Sequence, residues 1–234
     1  MGWRWAFQSL RCLDSMICSQ TLVKQNLYSV KIEAMKTTPY HHGALREALL
    51  DAAETIIRRD GLPALTLRAA AREAGVSHAA PSHHFGDLPG LLTELAAVGF
   101  ARFAAQLREI NASPLHKRWD GARAYVAFAA ANPALFQLMF RSDRLDADRP
   151  SYVAARAEAF AFLAQARGVF TSKPSLEELG NIVGGWSLIH GFAMLMLDDR
   201  LKPLLAVAPE GTSTDDLFEA VLASTDRNVF RPAG

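Results

Sequence analysis

LPALTLRAAAREAGVSHAAPSHHFG, residues 62–86, decides the fold. It reads as two short helices on either side of a tight turn. Thr66 is placed to cap the first, because its hydroxyl can accept from a backbone N–H that has no partner within the helix. Leu67, Ala70, Ala71 and Ala74 recur at i, i+3, i+4 and i+7 and share one face. Gly75 stops the helix, since a left-handed conformation costs glycine little. Ser77 is placed to cap the second helix, expected over about 77–83. Two helices joined so closely and packed through alanine form the unit that sets its second helix into a DNA major groove.

The flanks complete a three-helix module. Residues 43–60, GALREALLDAAETIIRRD, carry Leu45, Leu49, Ala52, Ala53, Ile56 and Ile57 at helical spacing. Gly61 ends that helix and Pro63 opens the link to the next. Phe85 is the aromatic plug expected beneath so small a domain. In this region the chain resembles the tetracycline-repressor (TetR) family of bacterial transcriptional regulators. The matching segments are AAETIIRRDGL at 52–62, TLRAAAREAGVS at 66–77 and HHF at 83–85, followed by Leu91 and Leu92. The resemblance covers most of residues 43–95 and implies a helix-turn-helix DNA-binding domain over 36–88. It assigns major-groove contacts to His78, Ala79 and Ser82, and DNA-backbone contacts to Thr66, Arg68, Ser77, His83 and His84. Ser82 stands where the family commonly has a phosphate-contacting tyrosine. Pro81 is unusual inside a helix, although in the first turn it loses little. DLPG at 87–90 replaces the charged cap often found there.

The chain has 234 residues, is 50% hydrophobic and carries a formal net charge of +1. That suffices for one compact core, or for a small domain joined to a larger one. No global basic field points to nucleic acid. Within 36–90, Lys36, Arg46, Arg58, Arg59, Arg68 and Arg72 are balanced by Glu47, Asp51, Glu54, Asp60, Glu73 and Asp87. A DNA-binding head need not be strongly basic, because backbone N–H groups and helix N-termini also contact phosphates.

Cys12 and Cys18 are the only cysteines and show no disulfide framework or metal spacing. A reducing, cytoplasmic setting is expected. No run reaches the roughly 18–20 uncharged apolar residues of a membrane span, so no membrane partner is expected. Arg4, Arg11 and Asp14 interrupt the first residues and argue against a signal peptide. Residues 1–35 match nothing recognisable. They read either as a start assigned upstream of Met35 or as a flexible arm bringing Lys24, Lys31 and Lys36 to phosphates. No cofactor, metal or catalytic residue is expected. There is no G-x-S-x-G elbow, no phosphate-cradling glycine loop and no H-E-x-x-H. His83 and His84 diverge on a helix and make no cage with His78.

From about residue 88 the chain reads as helices throughout. They are expected over 88–110, 117–131, from Asn132-Pro133 onward, 151–170, from a Ser175/Glu178 capping box to about 199, and 214–228. The fold class is therefore all-α, with a C-terminal helical domain over 89–234. WSLIHG at 186–191 and YVAFAAANPALFQLMF at 125–140 resemble the subgroup of the family with a Trp…His-Gly signature. That resemblance implies effector binding and dimerisation, with helices at about 176–199 and 214–228 pairing with their twofold mates. The residues bear on this independently. Gly180, Gly184, Gly185 and Gly191 fall within one helix, where each costs about 1 kcal/mol relative to alanine. Another helix must approach closely, either from a second copy or from within the chain.

Phe128, Phe136, Met139, Phe140, Phe160, Trp186, His190 and Met194 either form plain core or line an apolar small-molecule pocket. His190 either orients an effector or is bonded to a helix carbonyl. The expected function is a homodimeric, ligand-responsive repressor that binds a palindromic duplex operator and is released by a small apolar effector. The alternative is a small-molecule-binding helical protein whose head no longer binds DNA. A helical enzyme would require turnover dependent on His190.

Overall fold

The computed structural model describes residues 42–115, 117–140 and 143–228. The N-terminal extension, both cysteines and the lysines of the possible arm lie outside the described residues. Among the described residues every regular element is helical.

Helix α1 (His42–Asp60) leads through a 3-10 turn (Leu62–Ala64) to α2 (Leu67–Glu73) and α3 (Ala80–Phe85). The Thr66 hydroxyl caps α2 by accepting from the Ala69 N–H at 3.0 Å. Gly75 closes it with φ +67°, a left-handed conformation that L side chains rarely adopt. Arg59 donates through both terminal nitrogens to the Glu73 carboxylate at 3.1 Å each, tying the end of α1 to the end of α2. Leu49, Ala53, Ile57, Leu65, Ala70, Phe85 and Leu91 are buried together, so Phe85 is the plug the sequence predicts.

Helix α3 begins three residues later than that prediction. Ala79 is its N-cap and no side chain caps it, so Ser77 is not the cap; the Ser77 carbonyl accepts from the Ala80 N–H at 3.1 Å instead. Pro81 is the reason. A helix capped at Ser77 would put the proline ring against the carbonyl four residues back. Starting at Ala80 leaves Pro81 in the first turn, where its missing N–H is not needed, and buries its ring.

Helix α4 (Leu88–Ala112) runs unbroken from this head into the larger half. Asp87 caps it, accepting from the Gly90 N–H at 2.8 Å, so DLPG supplies its own charged cap. There follow α5 (Asp120–Ala131), α6 (Pro133–Met139), α7 (Pro150–Ala166), α8 (Leu176–Leu197), α9 (Lys202–Leu205) and α10 (Thr214–Asn228). Helix α4 packs chiefly on α7, and α8 packs on α5. One apolar cluster runs from Leu49 in the head to Phe136 and Tyr152 in the larger half.

Two further boundaries and one element differ from the sequence prediction. Helix α5 starts at Asp120 because its carboxylate accepts from the Lys117 N–H at 2.6 Å and holds residues 117–119 in a turn. Helix α7 ends at Ala166, where Arg167 and Gly168 turn the chain away. The single-turn helix α9 is unforeseen. The predicted capping box is present: the Ser175 hydroxyl accepts from the Glu178 N–H at 3.2 Å, and Glu178 accepts from the Ser175 N–H at 2.7 Å.

Helices α4 and α8 are each long and apolar enough to cross a membrane, although the charges each carries keep either from being an uncharged run in the sequence. The apolar window of α4 is 61% buried inside the protein, whereas that of α8 is only 22% buried.

Candidate functional site

Two regions carry the residues singled out by sequence. The first is the outer face of the head. Thr66, Arg68, Ser77, His78, Ala79, Ser82 and His83 are all exposed, and His84 is half-buried. On α3 the register divides the side chains. Pro81 and Phe85, four apart, face the core, while Ser82 and His83 face out. His78 and Ala79 stand in the turn leading into α3 rather than on the helix itself. Glu73, the acid of α2, is engaged by Arg59.

The second region is a cavity of about 740 Å³ between α4, α5, α7 and α8. Sites for small molecules usually fall between about 300 and 1,000 Å³. Helix α4 contributes Phe100, Phe103 and Leu107, and α5 contributes Ala122 and Tyr125. Met139 and Phe140 close it at the end of α6. Tyr152, Arg156 and Phe160 come from α7, and Val183, Trp186 and Ile189 from α8. Of the eight predicted pocket residues, Met139, Phe140, Phe160 and Trp186 line it.

The other four do not. Phe128 is buried against Phe103, with ring centroids 5.3 Å apart. Phe136 is buried against Tyr125 and Phe140 at 5.3 and 5.0 Å. Met194 packs on the main core. His190 sits behind Tyr125, whose hydroxyl pairs with its Nδ1 at 2.8 Å and accepts from the Trp186 indole N–H at 3.4 Å. Burial pushes the His190 pKa down and the Tyr125 pKa up. Both groups are therefore neutral near pH 7, with Tyr125 donating to Nδ1 and His190 keeping its proton on Nε2. The imidazole Nδ1 is paired with a side chain rather than with a helix carbonyl, and Tyr125, not His190, lines the cavity. Sequence reasoning missed Phe100, Phe103, Tyr125 and Tyr152. The two tyrosines carried a signal, since a tyrosine on an apolar helix face needs a polar partner or an opening for its hydroxyl.

The two regions are joined through the start of α7. Arg149, its N-cap residue, reaches the carbonyls that end α3 and open α4. Glu94 of α4 forms ion pairs with Arg149 and Arg46 and accepts from the Ser151 hydroxyl. The Asp146 N–H donates to the Thr93 hydroxyl at 2.8 Å, and that hydroxyl donates to the Pro89 carbonyl at 2.6 Å. Thr93 is completely buried. Gly90 makes the approach possible: a Cβ there would lie 2.0 Å from the Phe85 carbonyl oxygen.

Residues 49–95 match the model of bacterial regulatory proteins of the tetR family, and residues 120–225 match the tetracyclin repressor-like C-terminal domain. The second match encloses WSLIHG. Among solved structures, a protein of unknown function from Rhodococcus sp. RHA1 is 33% identical, with a TM-score of 0.62 over 82% of this chain and 96% of its own. A TetR-family transcriptional regulator from Haemophilus influenzae RD shares the fold at 18% identity and a TM-score of 0.52, covering 81% of this chain and 98% of its own. No curated protein matches the chain in sequence. With an exposed helix-turn-helix, a helical half built around a cavity, and matches to both parts of the family, the chain belongs to the tetR family of bacterial regulatory proteins and is a ligand-responsive, DNA-binding transcriptional regulator.

Proposed function

We propose that the protein is a repressor that binds a palindromic operator as a homodimer and releases it when a small, largely apolar effector fills the cavity. The head spans residues 36–88 and the effector and dimer domain residues 89–234. His78, Ala79 and Ser82 read bases, with Thr66, Arg68, Ser77, His83 and His84 on phosphates. Ala79 reads a thymine methyl, and His78 donates to guanine N7 or O6. The setting is cytoplasmic, where duplex DNA is the partner.

The observation that carries the mechanism is that one helix serves both regions. Tyr152 and Arg156 of α7 line the cavity, while Arg149 at its N-terminus holds the end of α3. An effector that displaces α7 changes the setting of α3. It shifts DNA binding only by its differential affinity for the two settings.

Dimerisation is supported by α8. Leu176, Gly180, Val183, Gly184 and Ser187 form an exposed stripe at helical spacing, continued by half-buried Gly191. A Cβ at Gly180, Gly184 or Gly191 would meet nothing within 4 Å, so nothing among the described residues requires these positions to be small. Gly185 is different and faces inward against Arg167. Pairing α8 and α10 with their twofold copies covers the stripe and sets the two recognition helices about 34–36 Å apart, one turn of DNA.

The test is a mobility shift on the DNA upstream of the protein's own coding region. A retarded complex that weakens steeply with salt and is lost in the double variant His78→Ala, Ser82→Ala supports the proposal. A protein that ignores every genomic fragment at low ionic strength overturns it and leaves a small-molecule binder with an inactive head.

A further inference from the structure

The charge around the cavity is one-sided. Among the described residues its lining includes Lys117, Arg118, Arg156 and Arg167, and neither an aspartate nor a glutamate. The whole chain has 25 basic and 24 acidic residues, so composition alone does not explain this. Nearby acids are engaged elsewhere. Asp120 accepts from the Lys117 N–H and from Arg123, and Glu158 pairs with Arg108. Arg156 lies over the Tyr152 ring, 5.1 Å from its centroid.

Arg167 is the most informative of the four. It follows the last residue of α7, is half-buried, and lies flat against α8 at Gly185. A Cβ at that glycine would fall 1.9 Å from the Arg167 Nη2, so the missing side chain is what admits the guanidinium. Burial, and after it the neighbouring charge of Arg118, disfavour its protonated form, and among the described residues no carboxylate pairs with Arg167. A guanidinium held in a partly desolvated site beside a second one is stabilised by an oxyanion, to which its planar fork can donate two hydrogen bonds.

We infer that, if this cavity is the effector site, the effector is an amphiphile with an apolar acyl or aryl body and an oxyanion head. The head sits on Arg167 and the body lies among Phe100, Phe103, Tyr152 and Phe160. A neutral ligand leaves the guanidinium uncompensated. A cationic one adds positive charge beside the partly desolvated Arg167 guanidinium, so the site selects against cations as well as for anions.

The test uses the full chain and four probes that share one tail: dodecanoate, dodecyl phosphate, dodecanol and dodecyltrimethylammonium, all below their micelle concentrations. Trp119 and Trp186 line the cavity, so tryptophan fluorescence reports binding. At least one anion should bind about tenfold or more tighter than dodecanol, as charge-assisted bonds to a guanidinium imply, and the ammonium should bind weakest. The two anions distinguish a carboxylate from a phosphate head. Arg167→Gln should remove about tenfold from the preferred anion and leave dodecanol within about twofold, whereas Arg167→Lys retains most of the preference. Arg118→Gln, at the exposed rim, should lower anion affinity in the same direction, so the test stands even where Arg167→Gln fails to fold.

Dodecanol binding as tightly as both anions overturns the inference. So does an Arg167→Gln variant that weakens dodecanol and the anions alike, or a protein that binds none of the probes. Anion binding that depends on Arg167 but leaves the operator complex intact upholds the anionic preference and removes the effector role of the cavity. Equal binding of all four probes that nevertheless releases DNA does the reverse.

Discussion

Arg149 holds the last residue of the recognition helix: its Nη2 donates to the Phe85 carbonyl oxygen at 3.3 Å, while its Nη1 donates to the Gly90 carbonyl at 2.9 Å. One cation from the larger half thus satisfies the C-terminal carbonyl of α3, where positive charge also suits the helix dipole. Hydrogen bonds from charged groups contribute about 1.5–3 kcal/mol when partly buried. Arg149→Gln should therefore lower operator affinity by about tenfold, since about 1.4 kcal/mol is a factor of ten. Fluorescence anisotropy on a labelled operator measures this, with circular dichroism confirming unchanged helix content. Wild-type affinity in Arg149→Gln would remove this residue from the link between the two halves.

Gly90 and Gly180 predict opposite outcomes for the same substitution. Alanine at 90 meets the Phe85 carbonyl oxygen at 2.0 Å, and backbone cannot retreat as a flexible side chain can. Overpacking of this kind costs about 1–3 kcal/mol, more than the roughly 1 kcal/mol that alanine adds to a helix. Gly90→Ala should lower the thermal midpoint and operator affinity together. Alanine at 180 meets nothing among the described residues, so the folded subunit gains helix stability. Gly180→Leu should instead shift sedimentation toward monomer at micromolar concentration. Unchanged dimers in Gly180→Leu and Gly184→Leu would exclude this face of α8 from the interface.

On the proposed DNA face, Arg68 and His78 should separate by the kind of loss they produce. Arg68→Ala should weaken binding similarly on all sequences and reduce the salt slope by about one. His78→Ala should cost about 1–3 kcal/mol and relax preference at a single base position. Binding to a library of operator variants at two salt concentrations distinguishes the two behaviours. A His78→Ala protein with undiminished selectivity at every position would place base reading elsewhere.

The Tyr125–His190 pair gives the stability a pH dependence. Burial depresses the folded-state pKa of His190 below its unfolded value of about 6.5. Between those two values the unfolded chain binds more protons than the folded one, so stability falls as pH falls. The contribution is fully present above about pH 6.5 and is lost as pH drops through the lowered folded value. Melting curves from about pH 7.5 to 5 should show a declining midpoint that is flatter in His190→Gln. An identical decline in both proteins would assign it to other groups.

The helix-turn-helix was legible because its punctuation is local. Thr66 and Gly75 act on backbone within a few residues, and their types state what they do. The start of α3 is the exception, because Pro81 is tolerable in a helix begun at Ser77 by its type alone, and only the fold shows that it fixes where the helix begins. The cavity was half legible. Phe100, Phe103, Phe128 and Phe136 are all phenylalanines on the apolar faces of helices, and nothing in their spacing says that the first two meet open space while the other two meet each other's neighbours. That depends on how α4, α5, α7 and α8 cross, which is set by contacts far apart in sequence. Arg149 was invisible for the same reason. In the sequence it is one more cation in a loop, and its partners at Phe85 and Gly90 are some sixty residues away.

Helix α4 has 25 residues and spans the distance from the cavity to the base of the DNA-binding head without interruption. At 1.5 Å per residue it is a rod of roughly 37 Å. Tilting such a rod by about 5° at its cavity end swings the far tip by roughly 3 Å, a quarter of the ~12 Å width of a major groove. Phe100 and Phe103 stand near the middle of this rod, so a displacement there is roughly doubled, as by a lever arm, at the tip where the heads of the proposed dimer would keep step with one turn of duplex.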